Sequence, residues 1–221
     1  MKTIGHVRTC YGEKFGVPRQ PGLVPEAWGE LIFEPEYRNA DAVRGLEGFS
    51  HIWLVFIFHQ AVRGDWKPTV RPPRLGGNEK IGVFASRSPF RPNPIGLSCV
   101  RLEKVDSDHD FAPVLKLSGV DLVDGTPILD IKPYIPYSDL LPDAHGGFAS
   151  DAPERTEITW VTGADTKLTE ATKNLIENTL SCDPRPSFHQ DDREYGCLID
   201  GYNVKWLASG EGIQILACEH A

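Results

Sequence analysis

Eighteen prolines are spread through this 221-residue chain, and no other feature limits its fold as strongly. Proline fixes φ and lacks a backbone N–H, so a chain punctuated this often cannot be a bundle of long helices. Between the prolines and glycines lie short segments rich in β-branched and aromatic residues, at 3–7, 29–33, 51–59, 80–85, 98–105, 114–122 and 128–134. Many short strands with such turns predict a mainly β fold, a compact barrel or sandwich. Residues 51–59 (His-Ile-Trp-Leu-Val-Phe-Ile-Phe-His) are apolar throughout their interior, which predicts a strand buried on both faces. Asp124-Gly125 stands between two apolar runs, where a type I′ hairpin turn is expected.

The composition shifts at 138–155 to Pro, Asp, Ala, Gly and Ser, as a linker or lid requires. Beyond it a strand is expected at 157–161. A helix follows, with Leu168, Ala171, Leu175, Ile176 and Thr179 on one face, Asp165 or Thr166 as cap and Lys173 exposed. Asp183-Pro-Arg-Pro186 ends that helix, because Pro184 and Pro186 cannot continue it. Alternation of Tyr202, Val204 and Trp206, then of Ile213, Ile215 and Ala217, predicts two strands, with Gly210-Glu-Gly212 as the turn between them. The expected organisation is a β domain over 1–139, a linker or lid over 140–155 and a small α+β domain over 156–221.

The longest apolar run, 52–58, is too short to cross a bilayer. The first residues, Met1-Lys2-Thr3-Ile4-Gly5, contain no apolar signal-peptide core, which points to the cytoplasm. Five cysteines without a Cys-x-x-Cys pair form neither a disulfide framework nor a metal site. The net charge of −8 is unfavourable for binding phosphates. Residues 63–101 nevertheless carry Arg63, Lys67, Arg71, Arg74, Lys80, Arg87, Arg91 and Arg101 against only Asp65 and Glu79. That cationic segment is either a solvated loop or a surface for an anionic partner.

Within it, Ser86-Arg-Ser-Pro-Phe-Arg-Pro-Asn-Pro-Ile-Gly96 cannot be an interior strand. It predicts a stiff, exposed loop that fixes the directions of Arg87, Arg91 and Asn93. Guanidinium groups held this way suit bidentate binding of carboxylate or phosphate. Asp130, Lys132 and Tyr134 recur at period two, so all three share one face of a strand. They read either as a pocket wall or as a wet edge strand. No strand–Gly-x-Gly-x-x-Gly–helix unit occurs, so a doubly wound nucleotide fold is not indicated.

Several long motifs, in order, resemble the TrmO family of tRNA N6-threonylcarbamoyladenosine methyltransferases. They are Ile4-Gly-His-Val-Arg-Thr9 with Lys14-Phe-Gly-Val-Pro-Arg-Gln20, Leu46-Glu-Gly-Phe-Ser-His-Ile-Trp53, Arg71-Pro-Pro-Arg74, the 87–96 loop, and Asp121-Leu-Val-Asp-Gly-Thr-Pro-Ile-Leu-Asp-Ile-Lys-Pro-Tyr134. Asp183-Pro-Arg-Pro186 extends the resemblance toward the C-terminus. It implies a non-Rossmann, antiparallel β-barrel methyltransferase that uses S-adenosylmethionine, works as a homodimer, and acts on tRNA rather than DNA or a membrane. By the same resemblance Pro18, Arg19, Gln20, His59, Gln60, Arg87, Leu97, Gly119, Val120, Asp121 and Leu122 form the cofactor pocket. Arg87 would pair with the methionine carboxylate, and the backbone of 119–122 would face the adenine. Asp130, Lys132 and Tyr134 are the catalytic candidates, with Asp130 as hydrogen-bond acceptor and Lys132 near a substrate carboxylate or phosphate. Arg71, Arg74, Arg91 and Arg185 are the candidates for RNA contact. Two other readings stay open: a non-catalytic S-adenosylmethionine-binding regulator or adaptor, and a plain nucleotide-phosphate module.

Overall fold

The computed structural model of the protein describes residues 1–62, 65–185, 193–210 and 212–221. Arg63, Pro186 and Glu211, which figure in the sequence reading, lie outside the described residues. Strands β1 (Gly5–Thr9), β2 (Trp28–Phe33) and β3 (His51–Ile57) are followed by a two-residue ladder, β4 (Thr69–Val70) against β5 (Ile81–Gly82). Next come β6 (Ile95–Asp106), β7 (Val114–Ser118) and β8 (Thr126–Pro133). Six of these close into an antiparallel barrel in the order β1-β2-β7-β6-β3-β8.

After the short helix α1 (Pro136–Asp139) and an exposed segment come β9 (Ile158–Trp160), α2 (Glu170–Ser181), β10 (Arg193–Ile199), β11 (Tyr202–Ser209) and β12 (Gly212–His220). They form a second sheet, ordered β10-β11-β12-β9, in which β9 runs parallel to β12. The fold is thus mainly β, as the proline and strand patterns require.

Alternation fills the barrel. Val7, Leu31, Ile52, Leu54, Val100, Leu115, Leu117 and Ile128 all point inward and are at most 2% exposed, as the interior of a small barrel demands. Gly96 is needed there, because a Cβ at that position would lie 2.1 Å from the Phe56 ring. In α2, Thr169 rather than Asp165 or Thr166 supplies the cap, its hydroxyl accepting from the Thr172 N–H at 3.1 Å. Thr172, Leu175, Ile176, Thr179 and Leu180 are buried. Ala171 is exposed, and Lys173 is half-buried in an ion pair with Asp165 at 2.7 Å.

Other expectations give way to topology. Strand β3 is buried on one face only, with Trp53, Val55 and Ile57 half-buried. A barrel has one interior, so the other side of each strand faces outward whatever its hydrophobicity. Asp124-Gly125 makes no hairpin, since β7 and β8 are not neighbours. Gly125 has φ near +76°, and Asp124 is not in the left-handed region that a type I′ turn also requires. The turn docks on β1 instead. Asp124 Oδ1 accepts from the Thr9 N–H at 2.9 Å, and the Gly125 N–H donates to Val7 O at 2.9 Å. In 80–85 only Ile81–Gly82 is strand, and 119–122 is an irregular segment after β7. Strands β11 and β12 are antiparallel neighbours, and Ser209 pairs with Gly212 on either side of the expected turn.

The second sheet and α2 press on the barrel end where β1, β3 and β7 finish and β2, β6 and β8 begin. The buried Tyr11 hydroxyl shares a hydrogen bond of 3.1 Å with Thr179 Oγ1. Trp28 Nε1 donates to Asp200 Oδ1 at 2.9 Å, and Tyr11 bridges to Ile199. Arg155 donates to Leu23 O, to Asn178 O at 3.0 Å and to Ser181 Oγ at 2.9 Å.

Candidate active site

The same barrel end gathers most of the sequence-derived cofactor residues. Strand β3 leaves the barrel at Ile57, paired with Ile95, and the Phe58 N–H donates to Pro94 O at 2.8 Å. That pairing fixes the proline-rich loop beside the turn that carries His59 and Gln60, both exposed. The loop is held from within. Arg91 Nη1 donates to Ser86 O at 2.7 Å and Val83 O at 3.3 Å, while Ser86 Oγ donates to Val83 O at 2.9 Å. Arg91 therefore spends donors on its own loop. Arg87 projects outward and donates to Gln20 Oε1. Pro18 is buried beneath this corner, and the neighbouring Arg19 donates to Arg185 O at 2.9 Å.

The segment 119–122 enters the barrel mouth. Val120 and Leu122 are buried side chains of the core. Two of its carbonyls are already bonded: Gly119 O accepts from the Gly22 N–H at 2.8 Å, and Leu122 O accepts from Thr9 Oγ1 at 2.9 Å. Asp121 turns its carboxyl toward the interior, where Ser98 Oγ donates to Oδ1 at 2.6 Å. Burial pushes this carboxyl up to about 6, against the opposing pull of the Ser98 hydrogen bond and the Arg87 charge. Ser98 is absent from the sequence-derived set. Its signal was an isolated hydroxyl among inward-facing Gly96, Val100 and Leu102, a polar group that needs a partner when buried.

The catalytic candidates lie elsewhere. Asp130 and Lys132 face outward from β8 and form an ion pair at 3.0 Å, with side chains 51% and 67% exposed. Tyr134 packs near Trp53 and His51, with ring centroids 6.1 and 6.3 Å away. The shared face is as the period-two spacing predicts. Asp130 sits beside Val55, itself beside Leu97, so these three form one row on the outer wall. The Tyr134 N–H donates to His51 O, six residues along β3 from the mouth at Ile57. At the rise of an extended strand this is roughly 20 Å. The structure thus gathers Gln20, His59, Gln60, Arg87 and Asp121 at the mouth, and leaves Leu97, Asp130, Lys132 and Tyr134 on the outer wall, with Leu97 and Asp130 nearer the mouth.

Of the RNA candidates, Arg71 and Arg74 are exposed, and Arg74 donates to Asp151 O. Arg185 is held by Asp183, with Nε–Oδ1 and Nη2–Oδ2 both at 2.8 Å. A cleft of about 290 Å³ at the seam between barrel and second sheet is lined by Arg8, Trp28, Asp124 and Asp200, among others. It contains none of the sequence-derived residues, and both Asp200 carboxylate oxygens are bonded, to Trp28 and Thr172.

The donor set fits S-adenosylmethionine. Arg87 makes no ion pair among the described residues and gives one bond to a neutral amide, which leaves guanidinium donors for a carboxylate. Asp121 is a desolvated carboxyl with no cation within ion-pair distance among the described residues, a setting that a positively charged ligand stabilises.

Comparison with known proteins gives a consistent result. The family model described as the tRNA-methyltransferase O N-terminal domain matches residues 6–140, and the TrmO C-terminal domain model matches 153–221. An Escherichia coli protein named tRNA (adenine(37)-N6)-methyltransferase is 46% identical over 226 residues, covering 98% of this chain and 96% of the relative. A Pseudomonas aeruginosa protein named putative S-adenosylmethionine-dependent methyltransferase RcsF is 44% identical, over 92% of this chain and 90% of its own length. The crystal structure of TrmO from Pseudomonas aeruginosa superposes with a TM-score of 0.81 at 38% identity, covering 99% of this chain and 96% of that one.

Proposed function

This chain belongs to the TrmO family, and on that premise we propose that it methylates N6 of adenosine 37 in tRNA, with threonylcarbamoyladenosine as the base it accepts. The observation that carries the reading is the agreement of both family models with a barrel mouth suited to the methyl donor. When bound, S-adenosylmethionine supplies an electrophilic methyl group on a sulfonium. Arg87, aimed by Gln20, holds the donor's carboxylate, and the Asp121 carboxyl places a negative charge near its positive end. Pro18, Arg19, His59, Gln60, Leu97 and the backbone of 119–122 complete the pocket.

Alignment and exclusion of water are the protein's main contributions to an in-line displacement. The acceptor nitrogen is urea-like and weakly nucleophilic, so a hydrogen-bond acceptor at its N–H assists. We assign that role to Asp130, with Lys132 released from it toward a substrate carboxylate or phosphate and Tyr134 along the same wall. A homodimer accounts for the separation of wall from mouth, because a second copy can bring its wall to this mouth. The exposed Ile95 and Leu97, 37% and 54% accessible, provide apolar surface for it. No helix among the described residues is long and apolar enough to cross a membrane. The proposed tRNA substrate supports a cytoplasmic site of action.

The test is mass spectrometry of tRNA nucleosides from a strain lacking this protein, with the purified chain and labelled donor as complement. Loss of the methylated nucleoside and transfer of label are expected. Methylated nucleoside persisting in a deletion strain without a paralogue sinks the assignment. Donor binding without any transfer supports the adaptor instead.

A further inference from the structure

Between the turn at His59–Ala61 and the proline-rich loop, the chain displays two large aromatic side chains to solvent. Trp66 is 49% exposed and Phe84 is 70% exposed. Their ring centroids lie 6.1 Å apart with planes inclined at 30°, and the Arg91 guanidinium carbon is 5.8 Å from the Phe84 ring centroid. Scattered single apolar residues on a surface need no explanation, whereas a paired, cation-backed set does.

The pair is held by backbone rather than by chance packing. The Val83 N–H donates to Pro68 O at 2.9 Å, which ties the residues following Trp66 to the turn carrying Phe84 (Val83–Ala85). The β4–β5 ladder closes the same excursion, and the Arg91 bonds to Val83 O and Ser86 O lock the other side. The aromatic surface is thus in place before any ligand arrives.

We infer that Trp66 and Phe84 form a stacking platform for an unpaired base of the substrate RNA, next to the adenosine that is methylated. This rests on the tRNA reading above and adds a binding surface to it. Aromatic faces interleaved with cations are the surface that single-stranded nucleic acid requires, because each base offers a π-face and each nucleotide a negative charge. Lys67 and Lys80 are exposed on the same excursion, inside a chain whose net charge is −8. The platform adjoins the loop that carries Arg87, so a base stacked there lies beside the proposed methyl-donor pocket.

The experiment measures affinity for tRNA and for an anticodon stem-loop in the full chain carrying Trp66→Ala or Phe84→Ala, beside Trp66→Phe and Phe84→Trp. Each alanine variant is expected to bind RNA about five- to a hundred-fold more weakly. The aromatic replacements should retain most of the affinity, and binding of S-adenosylmethionine should be unchanged. The slope of log affinity against log salt should stay at the wild-type value, since no charge is removed. Unchanged RNA affinity in both alanine variants, with wild-type melting temperature and normal tRNA methylation, overturns the platform alone. A shift in sedimentation that tracks Trp66→Ala or Phe84→Ala assigns the surface to a second copy and overturns it as well. A wild-type chain that neither binds nor methylates tRNA removes the platform together with the reading beneath it.

Discussion

Two aspartates on one barrel live in opposite surroundings. Asp121 leans into the mouth, is half-buried, and receives its hydrogen bond from a neutral serine. Asp130 stands on the outer wall, half in water, with the Lys132 ammonium 3.0 Å away. The first is a desolvated charge with unused attraction for a cation, and the second has already been answered by one. Sequence treats the two alike. The difference arises because Asp121 lies on the irregular segment that turns into the barrel mouth, whereas Asp130 lies on the outward face of β8.

The largest effect expected from this contrast is in the pH dependence of stability. The folded protein holds the Asp121 proton more tightly than the unfolded chain does. The group's stabilising contribution is therefore full below the ordinary value of 3.8 and is lost as pH rises through about 6. Asp121→Asn should remove that loss, which amounts to about 2 kcal/mol between pH 4 and 7. Urea titrations of both proteins at the two pH values measure it. A wild-type stability that changes no more than the variant's would show Asp121 to be well solvated.

Next comes the cofactor contact. Arg87→Ala should weaken S-adenosylmethionine binding by about 1.5–3 kcal/mol, roughly ten- to a hundred-fold, while the exposed position leaves the fold intact. Calorimetry with an unaltered affinity would take Arg87 out of the pocket and leave the mouth without its anion-binding group.

RNA contacts should be smaller one by one. Arg71→Ala with Arg74→Ala should reduce the slope of log affinity against log salt by about 0.7–0.9 for each lost phosphate contact. Arg185→Ala should change that slope less, because Asp183 already holds its guanidinium. If the slope follows Arg185 and ignores the pair, the RNA path runs over the second sheet.

The smallest effect is expected on the outer wall. Lys132→Ala should cost at most about 1 kcal/mol of stability, as exposed ion pairs do, and should leave S-adenosylmethionine affinity unchanged. Methyl transfer that falls in Lys132→Ala without any loss of donor binding would tie the wall to the reaction. Rates equal to wild type in both Lys132→Ala and Asp130→Asn would reduce it to a solvated outer face; the edge strand that the sequence also allowed is excluded, because β8 pairs with β1 and β3 on its two sides.

Much of this architecture was legible in the sequence, and the failures share a cause. The barrel strands announce themselves through β-branched residues between prolines, and β2 falls where its apolar segment predicts. The errors concern what lies next to what. Asp124-Gly125 has a hairpin's chemistry, yet the strands it joins are separated around the barrel, and only closure decides that. Likewise β3 looks buried on both sides because its outward residues, Trp53 and Val55, are as apolar as its inward ones. Strand β10 was not anticipated; its Arg193-Glu-Tyr-Gly start lacks an apolar alternation, and its order comes from pairing along β11. At the mouth, motif resemblance named Arg87 and Gln20, two residues that the structure brings into contact. It missed Ser98, whose role depends on a carboxyl 23 positions later arriving at the same depth in the barrel.

The parallel pairing of β9 with β12 imposes an order on biosynthesis. The barrel's last closing strand, β8, ends at residue 133, so every barrel strand is synthesised before β9 and the barrel can assemble while the C-terminal part is still being translated. Strand β9 is made next but has no place to dock until Ile213–Ile215, its partners on β12, have also emerged. More than fifty residues of synthesis separate the two. During that interval the nascent chain consists of a closed barrel followed by an apolar segment waiting for its neighbour. Arrest of translation just before β12 should therefore yield a protease-resistant barrel and a cleavable remainder.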